Sequence, residues 1–319
     1  MAVHTNIDQN ELKKFLTHYS IGLLLSYQGI EEGIENSNFL LQTTQGRFIL
    51  TLYEKRISKK DLPFFCGLMQ HLSQRGIPCP QPVLQNDGTI VGELAGRPAA
   101  IVTFLEGAWV RDPNIYHCCE VGTSLAHLHL AGQGFPLKRK NTLSIDAWKP
   151  LWQRCQMKKD ALFKIFGSKI DMELTFLEKN WPLDLPTGVI HADLFNDNVF
   201  FLNYKLSGII DLYFACNDFL AYDLAICLNA WCFEKDCSYN LTKAHELLKH
   251  YQAIRPLVSL ELNAILLLVR GAALRFFLTR LYDWFYTPSG SFVVKKDPLE
   301  YWQRLCFFSH VDSLTELGF

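Results

Sequence analysis

From Ile190 to Asp211 the chain sets polar residues at fixed offsets around two short apolar runs. His191, Asp193 and Asn198 precede the run 199–202, and Asp211 follows the run 206–210. Asn203, Tyr204 and Lys205 between the runs read as a hairpin loop of three residues. With Leu202 opposite Leu206, Asn198 falls opposite Ile210, beside Asp211, and cross-strand partners stand roughly 5 Å apart. The open end of the hairpin then joins an amide oxygen to a carboxylate, with Asp193 on the loop just before. Such hard oxygens suit Mg2+, which keeps several waters and binds through one or two carboxylates plus substrate phosphates. A hairpin whose polar ends are merely solvated is the plain alternative.

The rest of the composition narrows the setting. A chain of 319 residues is long enough for two lobes with real cores. With 49% hydrophobic and 20% charged residues it has ordinary globular composition. A net charge of −1 gives no electrostatic footprint for nucleic acid or an anionic membrane. The first residues lack the basic and apolar regions of a signal peptide. The stretch 264–281 carries Arg270, Arg275 and Arg280, which argues against a membrane span. A cytoplasmic protein with neither nucleic acid nor membrane as partner is the expectation. Of the ten cysteines, Cys118 and Cys119 are adjacent, no C-x-x-C pair exists, and Cys227 and Cys232 lie in an apolar helical run. Reduced core thiols fit this better than zinc or disulfides. His127 and His129, two apart on a helix, do not share a face and read as core or surface residues rather than metal ligands.

Along the chain, the pattern predicts a leading helix over 8–19 and strands over 23–30, 38–43 and 47–53, the last with Phe48, Leu50 and Leu52 on one face. A helix follows from Asp61, with Pro63 in its first turn and Gly76 ending it before Pro78 and Pro80. Strands over 90–93 and 97–104 complete a five-stranded sheet carrying one helix. After Gly107 the chain is mainly helical apart from the hairpin, so the division expected is 1–105 and 106–319. The turn from Gly29 through Gly33 can close over phosphates with its backbone N–H groups. Glu31, Glu32 and Glu35 would then point outward.

The pattern H-x-D-L-x-x-x-N with a second Asp 18 residues after the first resembles the kinase catalytic loop and its metal-binding Asp. Over nearly the whole chain, and most specifically in GVIHADLFNDNVFF and LSGIIDLYFACNDFLAYDLA, the sequence resembles the aminoglycoside-phosphotransferase and choline-kinase branch of the protein-kinase-like fold. Within that branch it is similar to the bacterial homoserine kinases. The resemblance implies a bilobal α+β fold, with an antiparallel sheet plus helix in the N-lobe and a mainly helical C-lobe. It also implies ATP as co-substrate, Mg2+, and phosphoryl transfer to the side-chain hydroxyl of L-homoserine for threonine biosynthesis. Position by position, Asp193 matches the carboxylate that orients and deprotonates the acceptor hydroxyl, and Asn198 and Asp211 match the Mg2+ ligands. Residues 102–107 match the hinge, where the backbone of Thr103 and Leu105 would meet adenine, and Gly33 belongs to the phosphate-covering turn. Asp223 resembles a buried carboxylate bracing the catalytic loop, with His191 as further support. Two departures stand out. Thr51 occupies the place of the phosphate-pairing Lys on the third strand, and Lys55, on the same face, is roughly 13 Å further along. Leu212 replaces the usual aromatic after the metal-binding Asp.

Only 11 residues separate Asp211 from Asp223, which leaves no room for a peptide platform and points to a small alcohol. Choline, an aminosugar or an aminoglycoside is the alternative acceptor, and such cations favour acidic or aromatic pockets. A catalytically dead nucleotide-binding module is suggested by the missing lysine but opposed by His191, Asp193, Asn198 and Asp211 together. An amino-acid acceptor needs a cation for its carboxylate, and Arg suits bidentate capture. Arg275 and Arg280 are the candidates, with Arg270 behind them; five-residue spacing keeps all three from sharing one face. Asn217 or Asp218 could hold the substrate ammonium, and Tyr213 could line the acceptor pocket.

Overall fold

The computed structural model describes residues 5–30, 36–54, 57–158, 160, 162–287 and 295–319. Gly33, Lys55 and the three glutamates at 31, 32 and 35 lie outside these described residues.

Helix α1 (Gln9–Leu16) begins where the Asp8 side chain accepts the N–H groups of Asn10 and Glu11, an N-cap. Strands β1 (Leu24–Gly29), β2 (Ser37–Thr43) and β3 (Gly46–Leu52) form an antiparallel meander. After helix α2 (Leu62–Ser73) come β4 (Gly92–Leu94) and β5 (Arg97–Thr103), and the sheet order is β1-β2-β3-β5-β4. Strand alternation splits the sheet into two faces. Phe39, Leu41, Leu50, Leu52 and Ile101 pack against Leu12, Phe15 and Leu16 of α1. The opposite face presents Ala100 and Val102, with Tyr53 just beyond β3, toward α2 and the helical lobe. The sheet therefore carries a helix on each face, the leading helix as well as the one from Asp61.

The second lobe is built from α3 (Ile115–Ala131), α4 (Ile145–Gln156), α5 (Leu162–Asn180), strands β6 (Thr187–Ile190), β7 (Val199–Leu202), β8 (Lys205–Ile209) and β9 (Cys216–Phe219), then α6 (Leu220–Trp231), α7 (Leu241–Ile254), α8 (Ser259–Tyr286) and α9 (Pro298–Phe308). Helix α3 packs along α7, and α8 packs against α4, α6 and α9. By length and composition α8 could cross a membrane, yet 67% of its apolar window is buried inside the protein, as in a core helix. All ten cysteines are free, most of them buried. The fold is α+β and bilobal, a sheet lobe followed by a helical one.

The hairpin differs from expectation in an instructive way. Its turn has two residues, Asn203 and Tyr204, both at positive φ (51° and 63°), as a type I′ turn requires. Leu202 therefore faces Lys205 rather than Leu206. The register then shifts between Phe200 and Phe201, leaving Ser207 as a bulge, so that Phe200 faces Gly208 and Val199 faces Ile209. The bulge restores what the shorter turn removed. Ile210 N–H donates to the Asn198 carbonyl at 3.0 Å, and Asn198 stands opposite Ile210 beside Asp211, as the spacing predicts.

Candidate active site

Strands β6 and β9 pair antiparallel, and α6 runs directly on from β9. This brings Asp223, in the first turn of α6, beneath the loop that leaves β6. Asp223 is fully buried; its two oxygens accept the backbone N–H groups of His191 (2.7 Å) and Ala192 (2.8 Å). His129 Nε2 lies 3.2 Å from the same carboxylate, and its Nδ1 is 2.8 Å from the Tyr251 hydroxyl. Burial disfavours the charged carboxylate, but the hydrogen bond from His129 and the backbone N–H of His191 outweigh it. They hold Asp223 below the ordinary carboxylate range. The brace supports a strained backbone: Ala192 adopts φ 64°, a left-handed conformation that costs a non-glycine residue about 1–3 kcal/mol. Trp231 of α6 adds a third anchor through its indole N–H to the Leu194 carbonyl (2.8 Å).

His191 ties this loop to the hairpin. Its Nδ1 accepts the Asp193 N–H (3.2 Å), so Nε2 carries the proton and donates to the Ile210 carbonyl (2.9 Å). Asn198 directs its amide nitrogen at Asp193, 2.8 Å from the carbonyl and 3.3 Å from the carboxylate. The Asn198 amide oxygen is thereby turned off Asp193. Asp211 follows Ile210 in the left-handed region at φ 59°, which Asp tolerates better than most residues. The set is one amide oxygen and one carboxylate at the hairpin's open end with a second carboxylate on the adjoining loop. These are hard donors of the kind a divalent cation such as Mg2+ takes. Asp193 is partly buried, and burial raises its pKa above the usual carboxylate value, opposed by the charges of Arg275 and Lys296.

The connector between the lobes lies on this hairpin. Ser207 donates to the Glu106 carbonyl (2.7 Å), Ala108 and Phe201 exchange backbone hydrogen bonds (3.2 and 2.9 Å), and a Cβ at Gly208 would come within 2.8 Å of Leu105. Leu105 is thus close to β8, the strand that leads to Asp211. At Thr103 the N–H already donates to the Gln81 carbonyl (2.9 Å), so of its backbone groups the carbonyl is the one left for the hinge role. Thr51, nearly fully buried, donates its hydroxyl to its cross-strand partner Asn38 (2.8 Å).

The side chains expected around the acceptor also make contacts within the fold. The Tyr213 hydroxyl donates to Tyr53 (3.4 Å) and its ring stands edge-on to Tyr53 and Phe65, packing the end of β3 and α2 onto the helical lobe. Asn217 clamps the neighbouring loop, accepting the Arg139 N–H on its side chain (2.9 Å) and donating its own N–H to the Arg139 carbonyl (2.7 Å). Asp218 is held by Asn141 (2.7 Å) and the Phe219 N–H (2.8 Å), and burial raises its pKa. Arg270 forms a two-pronged pair with Glu173 (2.8 and 2.6 Å). Arg275 is 2% exposed and donates to the Ala192 carbonyl. Arg280 pairs with Glu300 (2.6 Å) and lies over the Tyr301 ring. Two residues escaped the sequence reading. His129 is core, as expected, but belongs to the loop brace, whereas His127 is exposed. Lys296, just before α9, pairs with Asp197 (2.9 Å), stands 5.4 Å from the Phe195 ring centre and acts electrostatically on Asp193. No local pattern announces either role; both arise from elements distant in sequence.

Residues 26–257 match the model of the phosphotransferase enzyme family. The chain is 76% identical to a homoserine kinase of Bartonella henselae, over the full length of both proteins. It is 60% identical over 318 residues to a homoserine kinase of Brucella melitensis biotype 2, covering 98% of that protein. Among solved structures, the amicoumacin kinase hAmiN in complex with AMP-PNP, Ca2+ and Ami aligns with a TM-score of 0.70 at 17% identity, covering 98% of this chain and 93% of that one. A choline kinase from Cryptosporidium parvum Iowa II aligns with a TM-score of 0.69 at 14% identity, covering 95% and 94%. At those identities the structural likeness speaks for the fold alone. The family match, together with full-length identity to named kinases, makes this chain a member of the phosphotransferase enzyme family.

Proposed function

We propose that the enzyme transfers the γ-phosphoryl group of ATP to the side-chain hydroxyl of L-homoserine, giving ADP and O-phospho-L-homoserine, a step toward threonine. The observation that carries this reading is the 76% identity to a homoserine kinase along the entire chain. In it, Asp193 accepts the hydroxyl proton as the alcohol oxygen bonds to the γ-phosphorus and the bond to the ADP oxygen breaks. A phosphotransferase using ATP implies a divalent metal; we assign it as Mg2+, held by Asn198 and Asp211, and when bound it neutralises phosphate charge. The adenine contact falls to Leu105 and the Thr103 carbonyl. Gly33 and Thr51 stay assigned to the nucleotide side. Asp218 is assigned to the substrate ammonium, and Arg280 or Lys296 to its carboxylate. This reading divides the chain into a nucleotide lobe, 1–105, and a catalytic and substrate lobe, 106–319, working in the cytoplasm, where free thiols persist.

Product identification tests it. The enzyme, ATP, Mg2+ and L-homoserine should give a phosphomonoester with the mass and phosphorus spectrum of O-phosphohomoserine. Consumption of ATP with choline but not with homoserine would transfer the assignment to a cationic alcohol.

A further inference from the structure

We infer that Arg275 is a positioning residue of the catalytic loop: from α8 it holds the Ala192–Asp193 peptide unit and so sets the direction in which the Asp193 side chain leaves the backbone. The inference deepens the proposed phosphoryl transfer, since it rests on Asp193 as the acceptor of the hydroxyl proton.

The peptide unit is pinned at both polar ends. Its carbonyl, that of Ala192, accepts from Arg275 Nη1, and its N–H, that of Asp193, donates to His191 Nδ1 at 3.2 Å. One residue earlier, the Ala192 N–H is held by Asp223 at 2.8 Å. Ala192 thus has its N–H and its carbonyl gripped from two different helices, α6 and α8, while its φ of 64° lies where an alanine does not rest unaided. A loop left to itself would relax at this residue and rotate Asp193 with it.

Arg275 is placed to act in this way. It lies on a core helix packed against α4, α6 and α9, so its guanidinium has a rigid origin. The Phe276 ring lies 4.3 Å from the guanidinium carbon, and that of Phe214 lies 6.0 Å away. Among the described residues no carboxylate stands within ion-pair distance of it, and its Nε has no hydrogen-bond partner. Burying a guanidinium without an ion-pair partner is unfavourable, and an apolar residue of similar volume would fill the same space more easily. Packing alone therefore does not account for an arginine here: the Ala192 carbonyl is its hydrogen-bond partner, and the nearby carboxylates of Asp193 and Asp218 favour its charge from beyond ion-pair distance. The same engagement argues against Arg275 as the ligand of a substrate carboxylate.

The test compares Arg275→Lys and Arg275→Met with wild type on homoserine and on homoserinol, which lacks the carboxylate. Should wild type prefer another alcohol, that alcohol serves for the same comparison. A misdirected catalytic group should lower kcat by about 10²-fold with little change in KM, for both alcohols alike. Lysine, still a donor, should recover part of the rate. Glycine at 192 adopts the left-handed conformation without penalty, so Arg275→Lys should lose less when introduced into Ala192→Gly than into wild type. That comparison decides the matter even if Arg275→Met does not fold. Unchanged kcat, a loss confined to KM for homoserine, or effects at 192 and 275 that simply multiply would each overturn the inference.

Discussion

Asn198 donates one amide group to both the carbonyl and the carboxylate of Asp193, at 2.8 and 3.3 Å, and thereby turns its own oxygen away from that residue. One side chain is thus placed to steady the base and to offer an oxygen to a cation. Asn198→Ala should lower kcat at saturating Mg2+ and also raise the Mg2+ needed for half-maximal rate. Asp211→Asn, which exchanges a charged oxygen for a neutral one, should act chiefly on the Mg2+ requirement. Mg2+ titrations of the two variants that superimpose on wild type would contradict the pair.

Asp193 itself should dominate the chemistry. Replacing it with alanine removes the proton acceptor and should cost ~10²–10⁴-fold in kcat. ATP affinity, measured by calorimetry, should change little, because the nucleotide contacts are assigned elsewhere. Near wild-type turnover in a folded Asp193→Ala protein would remove this residue from the mechanism.

Asp223 carries a stability prediction with a defined pH window. Its folded pKa is depressed, so the stability it contributes is complete above its unfolded value near 3.8 and is lost as pH falls through the lower folded value. Asp223→Asn sets an amide NH2 where an oxygen accepted a backbone N–H and leaves His129 without its charged partner. The loss at pH 7 should be about 3–5 kcal/mol, as for breaking a buried pair. Urea unfolding should give the same gap at pH 5.5, narrowing only in the acid range. A gap that already shrinks between pH 7 and 5.5 would mean that another group controls it.

Lys296 and Arg280 make the acceptor assignment testable. Losing a hydrogen-bonded charged partner in a buried site costs about 2–5 kcal/mol. Arg280, whose side chain is 11% exposed, falls under that case, so Arg280→Ala should cut kcat/KM for homoserine far more than for homoserinol; Lys296, 45% exposed and screened by solvent, should show the same preference with a smaller loss on Lys296→Ala. Equal losses on both alcohols for both variants would leave the substrate carboxylate without either partner.

What was legible in the sequence follows from distance along the chain. The loop and hairpin around His191, Asp193, Asn198 and Asp211 are local, so their offsets carried the geometry even though the turn was one residue shorter than expected. Two compensating errors, the type I′ turn at Asn203 and Tyr204 and the bulge at Ser207, left Asn198 opposite Ile210. The Asp223 brace was reached only through family resemblance, because its bonds to the His191 and Ala192 N–H groups join segments some thirty residues apart. The cations were not legible. Whether an arginine on α8 meets Glu173, the Ala192 carbonyl or Glu300 depends on which neighbouring element packs there, and five-residue spacing says only that the three diverge. The packing of Tyr213 was not legible for the same reason: the φ of 59° at Asp211 and the short turn after it bring the ring against Tyr53 and Phe65, partners distant in sequence.

The central claim is the acceptor, and a coupled ADP-release assay over L-homoserine, homoserinol, L-serine, choline and an aminoglycoside tests it most directly. The account predicts that kcat/KM for L-homoserine exceeds that for every other alcohol by orders of magnitude, with Mg2+ required throughout. A preference for homoserinol, choline or the aminoglycoside would contradict it.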